Sequence, residues 1–172
     1  MGQRSYAISA ILYMDPPYDE RRLMQMAAQN STLADLGWRP FFSAQLSAEE
    51  EERYTPVRVM AVHRGKIAVA GDAFEGMISS YMPESQGEED RATVGDWLLI
   101  DPASGETMRV LERASLFKRR APGDDRKLQL VAANVDTLFI VASCNQDFNI
   151  PRLVRYLVLA REVGVGPVVV LT

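Results

Sequence analysis

A small antiparallel β barrel followed by an α/β unit is the fold class this sequence predicts, and three observations predict it. Residues 56–114 carry short runs of period two broken by turn residues, residues 116–126 are a charged stretch around Pro122 and Gly123, and residues 134–172 read as strand, amphipathic helix, strand. The expectation is a five-stranded OB-like Greek-key barrel followed by the first βαβ unit of a second domain.

The barrel elements follow in order. Val57, Val59 and Ala61 alternate with Arg58, Met60 and Val62, the pattern of a strand with one face in a core and one in solvent. Gly65 and Lys66 turn the chain, and residues 67–70 return as a second strand. Residues 74–82 supply a third strand, 94–101 a fourth and 106–114 a fifth, the last two joined by a turn at 102–105. Strand count alone leaves an SH3-like barrel or a small β-sandwich open. The polar spacer 83–93 becomes a long loop between strands three and four.

Upstream, residues 1–55 read as an extension with short helices. One helix is expected over 19–29, set off by Pro16 and Pro17, and a short capped helix over 31–37 leads to the aromatic cluster Trp38, Phe41 and Phe42. The organisation is then an extension over 1–55, an OB-like barrel over 56–118, a linker over 119–128 and an α/β domain over 129–172.

In that last segment, residues 135–143 and 167–172 are near-continuous apolar runs rich in β-branched residues, as in parallel strands covered on both faces. Between them Ile150, Leu153, Val154, Leu157 and Val158 recur at helical spacing, with Arg152 and Arg155 on the other side. Asn149 can cap the helix start, Pro151 sits in its first turn and Gly164 follows its end. Ligands bind beyond the carboxyl ends of the strands in such sheets, which singles out Thr172, directly after Leu171.

The 172 residues are 47% hydrophobic, enough for a real core, and their net charge of −4 argues against a wholly basic nucleic-acid binder. Charge is unevenly placed. Runs at 49–52 and 84–90 are acidic and read as solvated faces, whereas Arg58, Arg64, Lys66, Arg113, Lys118, Arg119, Arg120, Arg126 and Lys127 are basic. No apolar run approaches the roughly 20 residues of a membrane-spanning helix, so no membrane partner and a cytoplasmic address are expected. The single cysteine, Cys144, excludes an internal disulfide, and with His63 as the single histidine no closed Cys/His zinc site can be built. No phosphate-binding G-x-x-x-x-G-K-[ST] occurs, and the turn 143–149 has no glycine, which disfavours a dinucleotide fold. The candidate contacts are therefore the barrel's polar and basic residues: Arg58, His63, Arg64 and Lys66 around the first hairpin, and Lys118, Arg119 and Arg120 at the barrel's end. OB folds read nucleic acid across their second and third strands and adjoining loops.

Val94, Gly95, Asp96 and Trp97 opening the fourth strand, the segment VAANVDTLFIV at 131–141, Arg155, Tyr156 and Leu157 in the helix, and the final PVVVLT closely resemble the ribosome-small-subunit-dependent GTPase A family, over residues 33–172. The resemblance implies an OB domain, a circularly permuted GTPase domain and a C-terminal zinc domain. In that order the guanine-recognition motif (Asn or Thr, Lys, any residue, Asp) precedes the P-loop and switches, and Thr172 matches its first position. The parent protein, by resemblance, hydrolyses GTP with Mg²⁺ on the small ribosomal subunit and acts in its late maturation, the OB domain contacting ribosomal RNA. The chain itself is expected to be an N-terminal part with a truncated GTPase domain, no catalytic residue and no bound cofactor, zinc belonging to the missing C-terminal part. Its unfinished sheet is expected to self-associate. Two other readings stand beside this one: a stand-alone OB-fold RNA-binding module with no nucleotide site, and a receiver-like or dinucleotide α/β domain, for which Asn145 and Asp147 supply only a weak acidic cluster.

Overall fold

The computed structural model describes residues 9–11, 32–82, 87–120, 128–145 and 148–172. The helix expected over 19–29, part of the spacer at 83–86, the stretch 121–127 and Asp147 lie outside them.

Residues 33–37 form one hydrogen-bonded turn rather than a full helix. Thr32 and Asp35 close it reciprocally, the Thr32 N–H donating to Asp35 Oδ2 (3.0 Å) and the Asp35 N–H to Thr32 Oγ1 (3.3 Å). Pro40–Ser43 then makes a short helix, α1, and Ala48–Arg53 a second, α2. The acidic run at 49–52 is thus helical. Ser47 Oγ accepts the Glu50 N–H (3.2 Å) while the Glu50 carboxylate accepts the Ser47 N–H (2.9 Å), so two orphan donors of the first turn are satisfied together.

The main sheet has the five antiparallel strands expected, with tighter bounds. Numbering Ser9–Ile11 as β1, these are β2 (Thr55–His63), β3 (Lys66–Ala70), β4 (Glu75–Ser79), β5 (Trp97–Ile100) and β6 (Thr107–Val110), in the order β4-β3-β2-β5-β6. Both faces of its centre are buried. On one face Val57, Val59, Ile67, Val69, Ile78, Leu98 and Ile100 pack together; on the other, Trp97 and Leu99 pack with Leu36 and Phe42 from the upstream segment. Each large aliphatic side chain so covered contributes roughly 1.5–3 kcal/mol. The upstream segment is therefore part of the core.

A closed barrel is not seen. The edge strands β4 and β6 share no backbone ladder among the described residues. Register shifts between Val59 and Ala61 and between Leu99 and Ile100 bend the sheet, and Gly105, in the β5–β6 turn, comes so near β4 that a Cβ placed on it would sit 3.6 Å from Ile78. The edges approach through side chains rather than by hydrogen bonds.

The described residues at the ends of the expected linker, 119–120 and 128, lie in strands. Leu116–Arg120 (β7) and Leu128–Ala133 (β8) run antiparallel, with Phe117 opposite Ala132 and Arg119 opposite Gln129. Phe117 and Ala132 enter the core of the following unit, with Val135, Leu138, Ile140, Ala160 and Val165.

That unit contains the predicted strand, helix and strand: β9 (Thr137–Ala142), α3 (Ile150–Glu162) and β10 (Gly166–Leu171). Asn149 Oδ1 accepts the Arg152 N–H (2.9 Å), and Gly164 takes φ +71° after the helix. β1 pairs in parallel with the other edge of β9, giving the order β1-β9-β10. A three-residue strand more than a hundred positions from its partner leaves no usable periodicity in the sequence. β10 departs from expectation in burial: Val168 and Val169 are each 41% exposed and Leu171 56%.

Candidate nucleic-acid and nucleotide-facing surfaces

The parallel pair β9 and β10 runs in register from Gly166 opposite Thr137 to Leu171 opposite Ala142. Two further bonds carry the ladder past the strand ends. The Thr172 N–H donates to the Ala142 carbonyl (3.1 Å) and the Cys144 N–H to the Thr172 carbonyl (2.8 Å). Exposed Thr172 is thereby held beside 142–144 at the carboxyl edge of the sheet, ahead of the helix that starts at Ile150. This is where an open α/β sheet places a ligand. The groups implied by the resemblance do not all fit what is here. No phosphate cradle accompanies Thr172 in the sequence, and no group of three or more His, Cys, Asp or Glu able to hold a metal occurs among the described residues.

The basic candidates divide into three. His63, Arg64 and Lys66 lie together at the tip of the β2–β3 hairpin, His63 half-buried opposite Lys66, and the other two exposed. Lys118, Arg119 and Arg120 lie exposed along β7, but Lys118 Nζ is paired with Glu89 (2.7 Å) and Arg119 Nε donates to Gln129 Oε1 (2.9 Å).

Arg58 is a correction. Only 1% exposed, it cannot contact RNA. Strand periodicity gives it a solvent face, but the upstream segment covers that face. Its Nη1 donates to the Leu36 carbonyl, its Nη2 to the Asn134 carbonyl (3.0 Å), and its guanidinium lies 5.5 Å from the Trp97 ring centre. Burial pushes the guanidinium down to about 10; Asp136 and Asp96 oppose that shift, while Arg39 adds to it.

Around Arg58 the five-stranded sheet is joined to the junction between β8 and β9. Asn134, in the left-handed region at φ 55°, donates from Nδ2 to the Gly95 carbonyl (3.0 Å) and accepts the Ala114 N–H (2.8 Å), while the Ala133 N–H reaches the Val94 carbonyl (2.8 Å). Asp96, fully buried, accepts from Arg113 Nε (2.7 Å) and Nη2 (2.8 Å). Arg113 also binds the Glu89 and Arg91 carbonyls (2.6 and 2.8 Å) and so fixes the segment 87–92.

That segment forms one wall of a cleft of about 470 Å³, whose lining includes Val62, His63, Tyr81, Met82 and Arg91. The Ser80 N–H donates to the Gly65 carbonyl (3.2 Å), tying the end of β4 to the basic hairpin tip. Met82 turns into the core, 8% exposed, and Tyr81 turns out, 69% exposed. Tyr81 precedes the polar spacer and Arg91 lies within it, and neither carries a sequence pattern of its own; only the β2–β4 topology brings them to His63.

Residues 110–172 match the model of the family described as RsgA GTPase. The Small ribosomal subunit biogenesis GTPase RsgA of Mesorhizobium japonicum is 44% identical over 147 residues, which are 86% of this chain and 41% of that protein. The Small ribosomal subunit biogenesis GTPase RsgA 2 of Vibrio vulnificus is 42% identical over 146 residues, 85% of this chain and 40% of that protein. Among solved structures, YjeQ from Thermotoga maritima superposes with a TM-score of 0.50 at 21% identity, covering 69% of this chain and 41% of that one, a likeness of fold. The chain spans about two fifths of the length of these curated relatives. It is a relative of the RsgA GTPases, the family that its own residues resemble.

Proposed function

We propose that this chain is the RNA-facing and guanine-facing part of a GTPase that acts in small ribosomal subunit biogenesis. The observation that carries the proposal is the match of residues 110–172 to the RsgA GTPase model, together with the register that brings Thr172 to the carboxyl edge of a parallel sheet. On this reading the five-stranded sheet is an open OB-like barrel, its order β4-β3-β2-β5-β6 leaving at the edges the two strands that closure would join. His63, Arg64 and Lys66 contact ribosomal RNA, with Lys118, Arg119 and Arg120 as a second contact. Thr172 opens a guanine-recognition motif within a circularly permuted GTPase domain, completed by a Lys and an Asp of the whole protein. GTP, Mg²⁺ and zinc are held by residues beyond those in this chain, and no step of hydrolysis is assigned to it. The whole protein acts in the cytoplasm, where ribosomes are assembled.

The exposed valines of β10 support a further part of this reading. An apolar strand with an open edge calls for another strand beside it, and in this chain taken alone a second copy supplies it, giving self-association.

The test is co-sedimentation of the chain with purified small ribosomal subunits at several salt concentrations. Binding whose salt dependence weakens on changing Arg64 and Lys66 to Ala supports the assignment. Each phosphate contact removed should lower the slope by about 0.7–0.9. Failure to bind small subunits at low salt would remove the RNA-facing role.

A further inference from the structure

We infer that the cleft between the β2–β3 hairpin and the segment 87–92 is a subsite for one unpaired nucleotide of a single-stranded RNA, its base stacked on Tyr81. The inference rests on the RNA-binding reading above and names the feature of the RNA that this surface takes.

Shape is the first ground. At about 470 Å³ the cleft falls in the range of small-ligand sites, and its lining includes Val62 and Met82 as apolar groups with His63 and Arg91 as polar ones. Tyr81 is the second. A tyrosine ring left 69% exposed at the mouth of a cleft forgoes the burial aromatic side chains usually find, and it offers a flat π face. It is also fixed from both sides: the Tyr81 N–H donates to Ser79 Oγ (3.1 Å), and the next residue, Met82, is anchored in the core.

Charge is the third ground. The described residues of the lining include no carboxylate. Arg64, Lys66 and Arg91 are exposed on or beside the rim, and none forms an ion pair among the described residues. Arg113 holds Arg91 in place through its carbonyl, leaving the Arg91 side chain to the rim. An aromatic platform with cations at its border, and no anion among the described lining residues, suits a flat base attached to a phosphate. That combination is how single-stranded nucleic acid is held without reading its sequence. A base inside a duplex cannot present its face to the ring, so the site selects unpaired strands.

The experiment titrates the 172-residue chain against fluorescein-labelled oligouridylate, a fully paired RNA hairpin and an abasic ribose-phosphate strand of equal length, at several salt concentrations. Tyr81→Ala should weaken oligouridylate binding about tenfold or more with an unchanged salt slope, and Tyr81→Phe should bind like the parent. Arg91→Ala should instead reduce the slope by about 0.7. Binding to the abasic strand should be the same for the parent and Tyr81→Ala. Equal oligouridylate binding by the parent and Tyr81→Ala overturns the subsite while leaving the RNA-binding reading in place. Loss of abasic-strand binding in Tyr81→Ala also overturns it, because that loss reports a disturbed surface rather than a lost stack. Free uridine monophosphate competing as well as the strand would make this a mononucleotide site and overturn the assignment to RNA. Absence of binding to any RNA overturns both readings together.

Discussion

Replacing Arg58 should destabilise the fold in a way that depends on what replaces it. The side chain donates to two backbone carbonyls, Leu36 and Asn134, that are far apart in sequence, and it stacks on Trp97. Leaving each buried carbonyl without its donor costs about 1–3 kcal/mol, and losing the cation–π contact about 0.5–2. Against this stands the relief of a buried charge. A guanidinium pushed down to about 10 by burial is held at a disadvantage of about 3 kcal/mol, which its removal returns. Arg58→Met keeps the aliphatic stem in place and should therefore cost only about 1–2 kcal/mol, the orphaned carbonyls narrowly outweighing the relief. Arg58→Ala also leaves a cavity among Leu36, Trp97 and Asn134, which adds about 2 kcal/mol for a total of about 3–4. Urea unfolding at neutral pH, followed by the fluorescence of Trp97 and Trp38, measures both. An Ala variant within about 1 kcal/mol of the parent, or a Met variant less stable than the Ala variant, would refute the reasoning.

Two more outcomes are expected. Hydrogen bonds from Arg109, then from the Ser47 backbone, draw the Glu50 carboxyl down from 4.5 to about 2, so its contribution is complete above 4.5 and fades as the pH falls toward 2. Thermal melts of Glu50→Gln across that window should show a shallower loss of stability than the parent, and parallel curves would contradict the pairing. Gly65 and Gly95 both have positive φ, +76° and +89°, but only a Cβ at Gly95 would run into a carbonyl, that of Ala133. Gly65→Ala should cost about 1–2 kcal/mol and Gly95→Ala at least about 3, and equal melting temperatures would show that the five-stranded sheet and the end of β8 do not meet as described.

The alternation around Val57 and the turn at Gly65 are local signals, and so are the cap and end of the last helix at Asn149 and Gly164. Sheet and helix therefore emerged from the sequence with bounds a few residues too wide. The helix at Ala48–Arg53 was equally local, announced by Ser47 and Glu50, but four consecutive glutamates hide a capping box behind the look of a solvated run. What the sequence could not convey was burial imposed from a distance. Arg58 sits on the polar phase of its strand, and only the docking of 33–46 turns that phase inward. Likewise Lys118 reads as a free cation until the segment 87–92 places Glu89 beside it. The cleft's residues come from three separate stretches of chain and share no motif. Only the strand order assembles them.

The seam around Arg58 has a mechanical consequence. Val94 and Gly95 hold the five-stranded sheet against Ala133 and Asn134, the junction between β8 and β9, and swinging one away from the other would strand a desolvated guanidinium and several carbonyls. A hinge at this point would be costly to open. The five-stranded sheet and the junction into β9 therefore shift together rather than about a loose joint.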